Sequence, residues 1–544
     1  MLNEMQQKAV DSTADKVVVI AGAGSGKTHI LIERLTKLKE SGVDPESILV
    51  LTFTNAAAQE MTDRYRNRNN GDIRTPKFGT FHAFCYSLIL GDTNVRNALG
   101  YHAPPNIAAP EDIKRIKNTA KLICGTKLSD KALDTPLKDL KGVTDKVKFE
   151  YEVYHKQYNK LLRKESLITF DIMCYDVCEL FKADAECIKR YKTQYQYVVA
   201  DEFQDTDISQ AEFMWSFKDS KLFVVGDFRQ ALYSFRGADS SLIKSLATNP
   251  EWETIVLSQN YRSTKEICDF ANKIHHFPDS KLNINMQSER SGLPIQMKSE
   301  LNLDDTDVLL RIAEEKTDDN TVAILARTNA EVVAIKECLK GYGIPYIENN
   351  SNNVLADLLM CSIDSDYCVE YLSNHLSQEE YLRYLRMKST SELTEEQFIT
   401  YFGSNFRYSL TKIMDIRRIM ITNPMISIVF VELVKYLKIN IDIAEGLKCN
   451  NLNDVVRVLS DYLNSTSDKG IYVGTIHSSK GLEYDIVHVY GVNSKAFNPY
   501  KNEDERNCYY VACTRAKEKL VIWDSTVHPM SDVEEFGYGK YHIE

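Results

Sequence analysis

Lys16-Val17-Val18-Val19-Ile20-Ala21-Gly22-Ala23-Gly24-Ser25-Gly26-Lys27-Thr28 decides the fold. Val17 to Ile20 are all β-branched, as a short buried strand requires. From Thr28 to Lys39 apolar residues recur at Ile30, Leu31, Leu35 and Leu38, the spacing of an amphipathic helix. The run from Ala21 to Thr28 is therefore a glycine-rich turn joining a strand to a helix. Alone, such a turn could do no more than pack one on the other. In this setting it suits a phosphate cradle: glycines let backbone N–H groups approach phosphate oxygens and the helix N-terminus adds positive potential. Lys27 can then bridge the β and γ phosphates while Thr28 ligates Mg²⁺. Ala21, Gly22, Ala23, Gly24, Ser25, Gly26, Lys27 and Thr28 are thus the expected nucleotide cradle, with ATP and Mg²⁺ as its ligands.

A second buried strand, Tyr197 to Ala200, ends in Asp201-Glu202. Adjacent carboxylates at a strand end are usually just solvated. Beside a phosphate cradle they acquire roles: Asp201 holds Mg²⁺ through water, and Glu202 orients and deprotonates an attacking water. Further apolar runs at Ile48 to Phe53, Leu222 to Val225, Ile255 to Leu257, Val322 to Ala326, Ile471 to Val473, Ile486 to Val489 and Leu520 to Trp523 read as buried parallel strands. Ser263-Thr264-Lys265-Glu266 matches a capping box opening a helix. Two stretches, about 91–190 and 351–469, are rich in helix formers and read as helical insertions. The fold class is α/β.

Composition narrows the function classes. At 544 residues the chain exceeds one hydrophobic core, and its net charge of −11 argues against a surface that coats a polyanion throughout. A cleft that stacks bases is compatible with that charge. The twelve cysteines form no C-x-x-C pair and no zinc spacing, which fits a reducing, cytoplasmic setting. MLNEMQQKAV lacks an apolar signal core, and Ile426 to Val431 is too short to span a bilayer, so no membrane partner is expected.

Transfer of a γ-phosphoryl group requires its charge to be neutralised, and arginines on an opposite lobe can make closure a condition of hydrolysis. Arg262, in Gln259-Asn260-Tyr261-Arg262-Ser263, and Arg515, in Tyr510-Val511-Ala512-Cys513-Thr514-Arg515-Ala516, are the candidates. Either alone would more often be a surface charge.

The order of motifs resembles the UvrD/PcrA/Rep family of superfamily 1 DNA helicases over nearly the whole chain. The matching segments are Leu2-Asn3 with Gln6, the cradle, Leu51 to Ala58, Gly79-Thr80-Phe81-His82, Asp201-Glu202-Phe203-Gln204-Asp205 and Val225-Gly226-Asp227. They continue with Gln230, Tyr233, Phe235-Arg236-Gly237-Ala238, Asn260 to Ser263, Thr475 to Glu483 and Val511 to Ala516. The resemblance implies two RecA-like P-loop lobes with two mainly helical insertions. Lobe 1A would cover 1–90 and 191–245, insertion 1B 91–190, lobe 2A 246–350 and 470–544, and a reduced insertion 2B 351–469. It implies that Gln6 reads adenine, Tyr261 stacks on it, Gln230 senses the γ phosphate and Glu483 is a further nucleotide contact. Phe53, Thr54, Asn55, His82, Tyr233, Phe235, Arg236 and His477 would hold single-stranded DNA.

The implied activity is ATP-driven 3′ to 5′ translocation on single-stranded DNA, with unwinding of tailed duplexes in repair, replication or phage defence. An alternative is an ATP-gated DNA-binding subunit of a nuclease complex, because compact UvrD-like proteins also occur in Gabija-type antiphage systems beside a nuclease, and in phage genomes. No appended nuclease or C-terminal partner-binding domain is expected. Three departures stand out. His29 and Arg229 occupy positions where relatives usually carry an arginine and an acidic residue, respectively. The stretch from Glu483 to Arg506 is shorter than the one that carries a strand-separating pin in relatives, with Phe497-Asn498-Pro499 as the expected remnant.

Overall fold

The computed structural model describes residues 2–525 except 70, 73, 135–142, 276, 278–281, 299–305, 348–350, 364–367, 369–406, 424, 438–440, 442 and 468–469. Its first sheet contains β1 (Lys16–Ala21), β2 (Ile48–Thr52), β3 (Lys77–Thr80), β6 (Tyr197–Ala200), β7 (Lys221–Gly226) and β8 (Glu253–Leu257), in the order β3-β2-β6-β7-β1-β8. A second sheet contains β9 (Gln296–Lys298), β10 (Val322–Ala326), β11 (Tyr346–Ile347), β12 (Ile471–Thr475), β13 (Tyr484–Val492) and β14 (Ala516–Asp524), in the order β11-β12-β10-β13-β14-β9. Every pairing in both sheets is parallel. A two-stranded pair, β4 (Asn106–Ile107) with β5 (Leu167–Ile168), joins the helices between β3 and β6.

Helices cover both faces of each sheet, which is why the central strands read as unbroken apolar runs. β2 and β10 are buried at every position. β3, β9 and β11 escaped the sequence reading because they are short as well as at sheet edges, whereas the edge strand β8 carries the apolar run Ile255-Val256-Leu257. An edge strand is half solvated, so Lys77-Phe78-Gly79-Thr80 and Gln296-Met297-Lys298 need no apolar run.

The two-lobe α/β architecture is present, but the division expected at residue 246 is displaced. β8 pairs with β1 in the first sheet, at Val17↔Glu253 and Val19↔Ile255. Ile255 and Leu257 pack into the core that holds Val17, Val19 and Leu35, so the chain crosses to the second sheet only after Leu257. The capping box expected at Ser263 to Glu266 is not formed either. The helix Lys265–Asn272 is preceded by Thr264 as N-cap without a side-chain cap. The Ser263 hydroxyl donates instead to the Ala516 carbonyl at 2.6 Å, and the Glu266 carboxylate accepts from the Gly292 N–H at 2.7 Å. The start of this helix is thereby pinned to β14.

Residues 91–190 form the helices Thr93–Ala98, Pro110–Cys124, Asp130–Asp134, Asp145–Lys164, Phe170–Lys182 and Glu186–Gln194 around the β4–β5 pair. Among the described residues of 351–469 are Ser351–Ile363, Arg407–Thr422, Ile426–Leu437 and Leu452–Ser467, with their own apolar core. Among the described residues no helix is long and apolar enough to cross a membrane.

The helix Glu4–Asp11 is held by a buried cation. The Arg34 guanidinium, 3% exposed, donates to the carbonyls of Ala9, Val10 and Ser12 and stacks 4.2 Å from the Phe223 ring centroid. It thus satisfies carbonyls that a helix end leaves orphaned.

Phe213 joins the first sheet's helical layer to the 91–190 insertion. Its ring centroid lies 5.0 Å from Phe181, 5.3 Å from Phe217, 5.7 Å from Phe84 and 6.4 Å from Phe81. Phe213→Ala is expected to cost about 3–5 kcal/mol, measured as a shift in the urea midpoint at unchanged slope.

Candidate nucleotide site and aromatic groove

β1, β6 and β7 are neighbours running the same way, so the turn after Ala21, the Asp201–Asp205 loop and the Asp227–Gln230 loop leave the sheet at one edge. Close packing fixes their shape. Gly24 has φ +68°, and a Cβ there would lie 2.7 Å from Arg262 Cβ. The Asn260 amide donates to the Ala23 carbonyl at 2.7 Å and the Tyr261 N–H to the Gly24 carbonyl at 2.9 Å. The cradle is therefore clamped from outside by the crossover between the sheets. Gly26, at φ +84°, is the N-cap of the helix Lys27–Glu40, whose first-turn N–H groups have no carbonyl partner within the helix.

Lys27 Nζ lies 3.8 Å from the Glu202 carboxylate. Glu202 itself holds a left-handed backbone, φ +50° and ψ +40°, at a cost of about 1–3 kcal/mol. Burial pushes the Glu202 carboxyl up, but Lys27, Lys480 and the Gln204 amide more than offset it, so it lies below the usual glutamate range. The adjacent Asp201 goes the other way: burial, then the Glu202 charge, push it up to about 7. Asp201 Oδ1 is buried without a hydrogen-bond partner, as is Ser25 Oγ.

Gln6 does three things. It completes a capping box with Asn3, its side chain donates to the Ser25 carbonyl at 2.9 Å, and it stands 3.5 Å from the Tyr261 hydroxyl. That hydroxyl accepts from the Asn3 amide at 2.8 Å, leaving the Tyr261 ring 51% exposed beside the cradle. His29 is exposed. Arg262 pairs with Glu483 at 2.7 Å and donates to the Thr514 carbonyl at 3.3 Å. Arg515 is buried, its N–H groups spent on the carbonyls of Val511 and Leu482 and on the Thr514 hydroxyl. Burial, then the charge of Arg262, pull its pKa down to about 9.

Gln230 donates to Asp227 at 2.9 Å, and Gln204 Oε1 accepts from the Asp227 N–H at 3.0 Å. The second sheet reaches across here. Lys480 pairs with Asp205, donates to the Gln230 carbonyl at 3.1 Å, and sits 5.1 Å from the Tyr233 ring centroid.

Tyr233 opens the aromatic set. It stacks on Phe53 at 4.9 Å and lies 6.1 Å from Phe235 and 6.5 Å from His477, while Phe235 is 5.9 Å from His477. Phe235 is 69% exposed. Burial, then the nearby Arg327 charge, hold the His477 imidazole below its usual pKa. Four of the expected DNA residues thus form one cluster. His82 does not join it and lies against Phe170 at 5.6 Å. The Thr54 hydroxyl accepts from the Ala57 N–H as a helix cap. The side chains of Asn55 and Arg236 lie outside the described residues. Phe497, read as a pin remnant, is fully buried 6.2 Å from Tyr509 and so cannot be an exposed wedge.

Sequence reasoning assigned no role to Asp205, Lys480, Asn260 or Phe170. The first three lie inside motifs of the helicase resemblance, where the charges of Asp205 and Lys480 and the amide of Asn260 were the available sign. Phe170 had none.

Two family models match the chain: the UvrD/REP helicase N-terminal domain over residues 2–251, and the UvrD-like helicase C-terminal domain over 255–356 and 361–526. Among curated proteins, the chain is 27% identical to the ATP-dependent DNA helicase PcrA of Staphylococcus epidermidis and 25% identical to that of Staphylococcus aureus. Each alignment covers 96% of this chain and 83% of the relative.

Burial pushes Asp205 up from 3.8 to about 6, and Lys480 only partly offsets it. Between those values the folded chain keeps a proton that the unfolded chain releases, so this group lowers stability as pH rises through the window, levelling off above about 6. Lys480→Met should cost about 3 kcal/mol near neutral pH and extend the fall to higher pH. Adding Asp205→Asn should restore most of the loss. Urea midpoints across pH measure both.

Proposed function

Because the chain belongs to the UvrD/REP helicase family, we propose that this ATP-dependent DNA helicase moves 3′ to 5′ along single-stranded DNA and opens tailed duplexes. The observation that carries this reading is one short loop. Within Asp227 to Phe235, Gln230 faces the cradle side through Asp227, and Tyr233 and Phe235 form the aromatic cluster. Lys480 touches both, through the Gln230 carbonyl and the Tyr233 ring. A shift of this loop when a γ phosphate arrives would alter the base-stacking surface a few residues away.

In this reading Gln6 and Tyr261 take the adenine, while the N–H groups of Gly22 to Thr28 and the Lys27 ammonium take the phosphates. Thr28 and Asp201 offer hard oxygen ligands, and the unpartnered Asp201 Oδ1 suits a hydrated Mg²⁺ that would neutralise phosphate charge. Glu202, ionised beside Lys27, orients the attacking water and accepts its proton. Arg262, at the crossover beside Gly24 and held by Glu483, and Arg515, just past the helix Glu503–Cys513, add positive charge as the lobes close. Phe53, Tyr233, Phe235 and His477 give a sequence-tolerant stacking surface, each base worth about 1–3 kcal/mol.

The buried Phe497 favours a second reading for duplex opening. Without a wedge at that position, the motor acts as an ATP-gated DNA-binding subunit beside a nuclease. Repair, replication and phage defence all remain within this proposal.

Single-stranded DNA is expected to raise the ATPase rate at least tenfold, or about 1.4 kcal/mol in barrier. Glu202→Gln should bind ATP within about twofold of wild type yet lose turnover by a factor on the order of 100. Equal basal and DNA-stimulated rates in wild type would count against the motor. A 3′-tailed and a 5′-tailed duplex then separate the two polarities, and unwinding seen only with an added nuclease partner supports the second reading. Tyr261→Ala should raise the half-saturating ATP concentration about tenfold, the equivalent of one lost stack, while leaving the saturated rate within about twofold.

A further inference from the structure

Arg229 is almost completely buried, 2% exposed, beneath the cradle. A Cβ on Gly22 would lie 3.3 Å from its Nη2. Its Nε donates to Asp227 Oδ1 at 3.0 Å, its Nη2 to Asp227 Oδ2 at 3.2 Å, and its Nη1 to the Ile284 carbonyl at 3.2 Å. The guanidinium plane also lies 4.6 Å from the centroid of the Tyr510 ring. Asp227 is completely buried and serves four groups at once: the Arg229 side chain and N–H, the Gln230 amide at 2.9 Å and the Tyr510 hydroxyl at 3.3 Å.

Tyr510 belongs to the helix Glu503–Cys513 of the second lobe, and one stripe of that helix faces the first. Glu503 pairs with Lys244, the Asn507 amide donates to the Ala231 carbonyl at 3.0 Å, and Tyr510 meets Asp227 and Arg229. Just beyond the helix, the Thr514 carbonyl accepts from Arg262. Positions 503, 507, 510 and 514 follow helical spacing, so they lie along one side. Arg515 follows directly.

We propose that Arg229 is a positioning residue that couples the γ-phosphate-sensing loop to the second lobe; this rests on the nucleotide-site reading above. The buried Asp227 carboxylate needs a cation to be tolerated at all. Only a planar guanidinium can grip both of its oxygens and at the same time stack on an aromatic ring. Arg229 therefore fixes Asp227, and with it Gln230, against the helix that leads to Arg515. A movement of the sensing loop is delivered to that helix through a packed contact rather than across solvent.

Hydrogen exchange with and without the non-hydrolysable ATP analogue AMP-PNP and Mg²⁺ tests this without DNA. In the wild type, protection is expected both at 22–28 and along 503–513. In Arg229→Met, protection at 22–28 should stay within about twofold, whereas the response along 503–513 should fall about tenfold, or about 1.4 kcal/mol of coupling. Arg229→Lys should recover part of it. The proposal is overturned if 503–513 responds in Arg229→Met as in wild type, if it never responds in wild type, or if both segments lose protection together. Absent protection at 22–28 in the wild type would overturn the nucleotide-site reading, and the proposal with it. Should Arg229→Met fail to fold, Tyr510→Leu leaves the Arg229–Asp227 pair intact and must show the same selective loss; an unchanged response overturns the idea.

Discussion

Three neighbouring strands that run the same way, β6, β7 and β1, must release their loops at one edge of the sheet, and the rest of the site depends on that constraint. It puts a glycine-rich turn, a carboxylate pair and a glutamine-bearing loop into a space too small for side chains everywhere. Gly226 shows how tight the fit is, since a Cβ there would lie 2.5 Å from Gln204 Oε1. The crossover at Asn260 to Arg262 then closes the turn from above, and Gly24 is the position that lets it do so. Glu202 accepts a left-handed backbone in the same crowding. Strain of this kind persists only where the surroundings over-determine it, which is the expected condition of a site built to hold one geometry.

The sequence discloses what repeats and hides what is conditional. β1, β2, β6, β7, β10, β12, β13 and β14 were legible because strands covered on both faces are rich in apolar residues, and β8, though at an edge, was legible from Ile255-Val256-Leu257. β3, β9 and β11 were not, because they are short and an edge strand obeys no such rule. The capping box at Ser263 failed for a tertiary reason. Its serine and glutamate found stronger engagements with Ala516 and Gly292, and local pattern carries no information about either. The lobe boundary failed similarly, since β8 has no feature of its own that says which sheet it joins.

The site was legible at the level of motifs and opaque at the level of pairings. Phe53, Tyr233, Phe235 and His477 were named one by one, and only the fold shows them within 6.5 Å as a connected set while His82 turns to Phe170. Arg229 could be recognised as a departure, but its meaning lies in Asp227 and Tyr510, which are 2 and 281 residues away along the chain.

A feature common to these pairings bears on how a nucleotide would be received. Four cations around the cradle are already engaged by carboxylates: Lys27 by Glu202, Lys480 by Asp205, Arg229 by Asp227 and Arg262 by Glu483. The desolvation of these charges is met during folding, so a polyphosphate would arrive at donors that are already oriented. It would also have to exchange for carboxylates rather than fill an empty positive pocket. Exchange of partners gives a switch its differential energy, because a ligand shifts an equilibrium only as far as its contacts differ between the two states. Two of the four pairs, Lys480–Asp205 and Arg262–Glu483, involve the second sheet's loop from Ile476 to Glu483. Any phosphate that draws Arg262 away from Glu483 therefore changes what holds that loop, and the same loop carries His477 in the aromatic cluster. Local charge exchange at the cradle and rearrangement of the base-stacking surface are, on this geometry, two ends of one short stretch of chain.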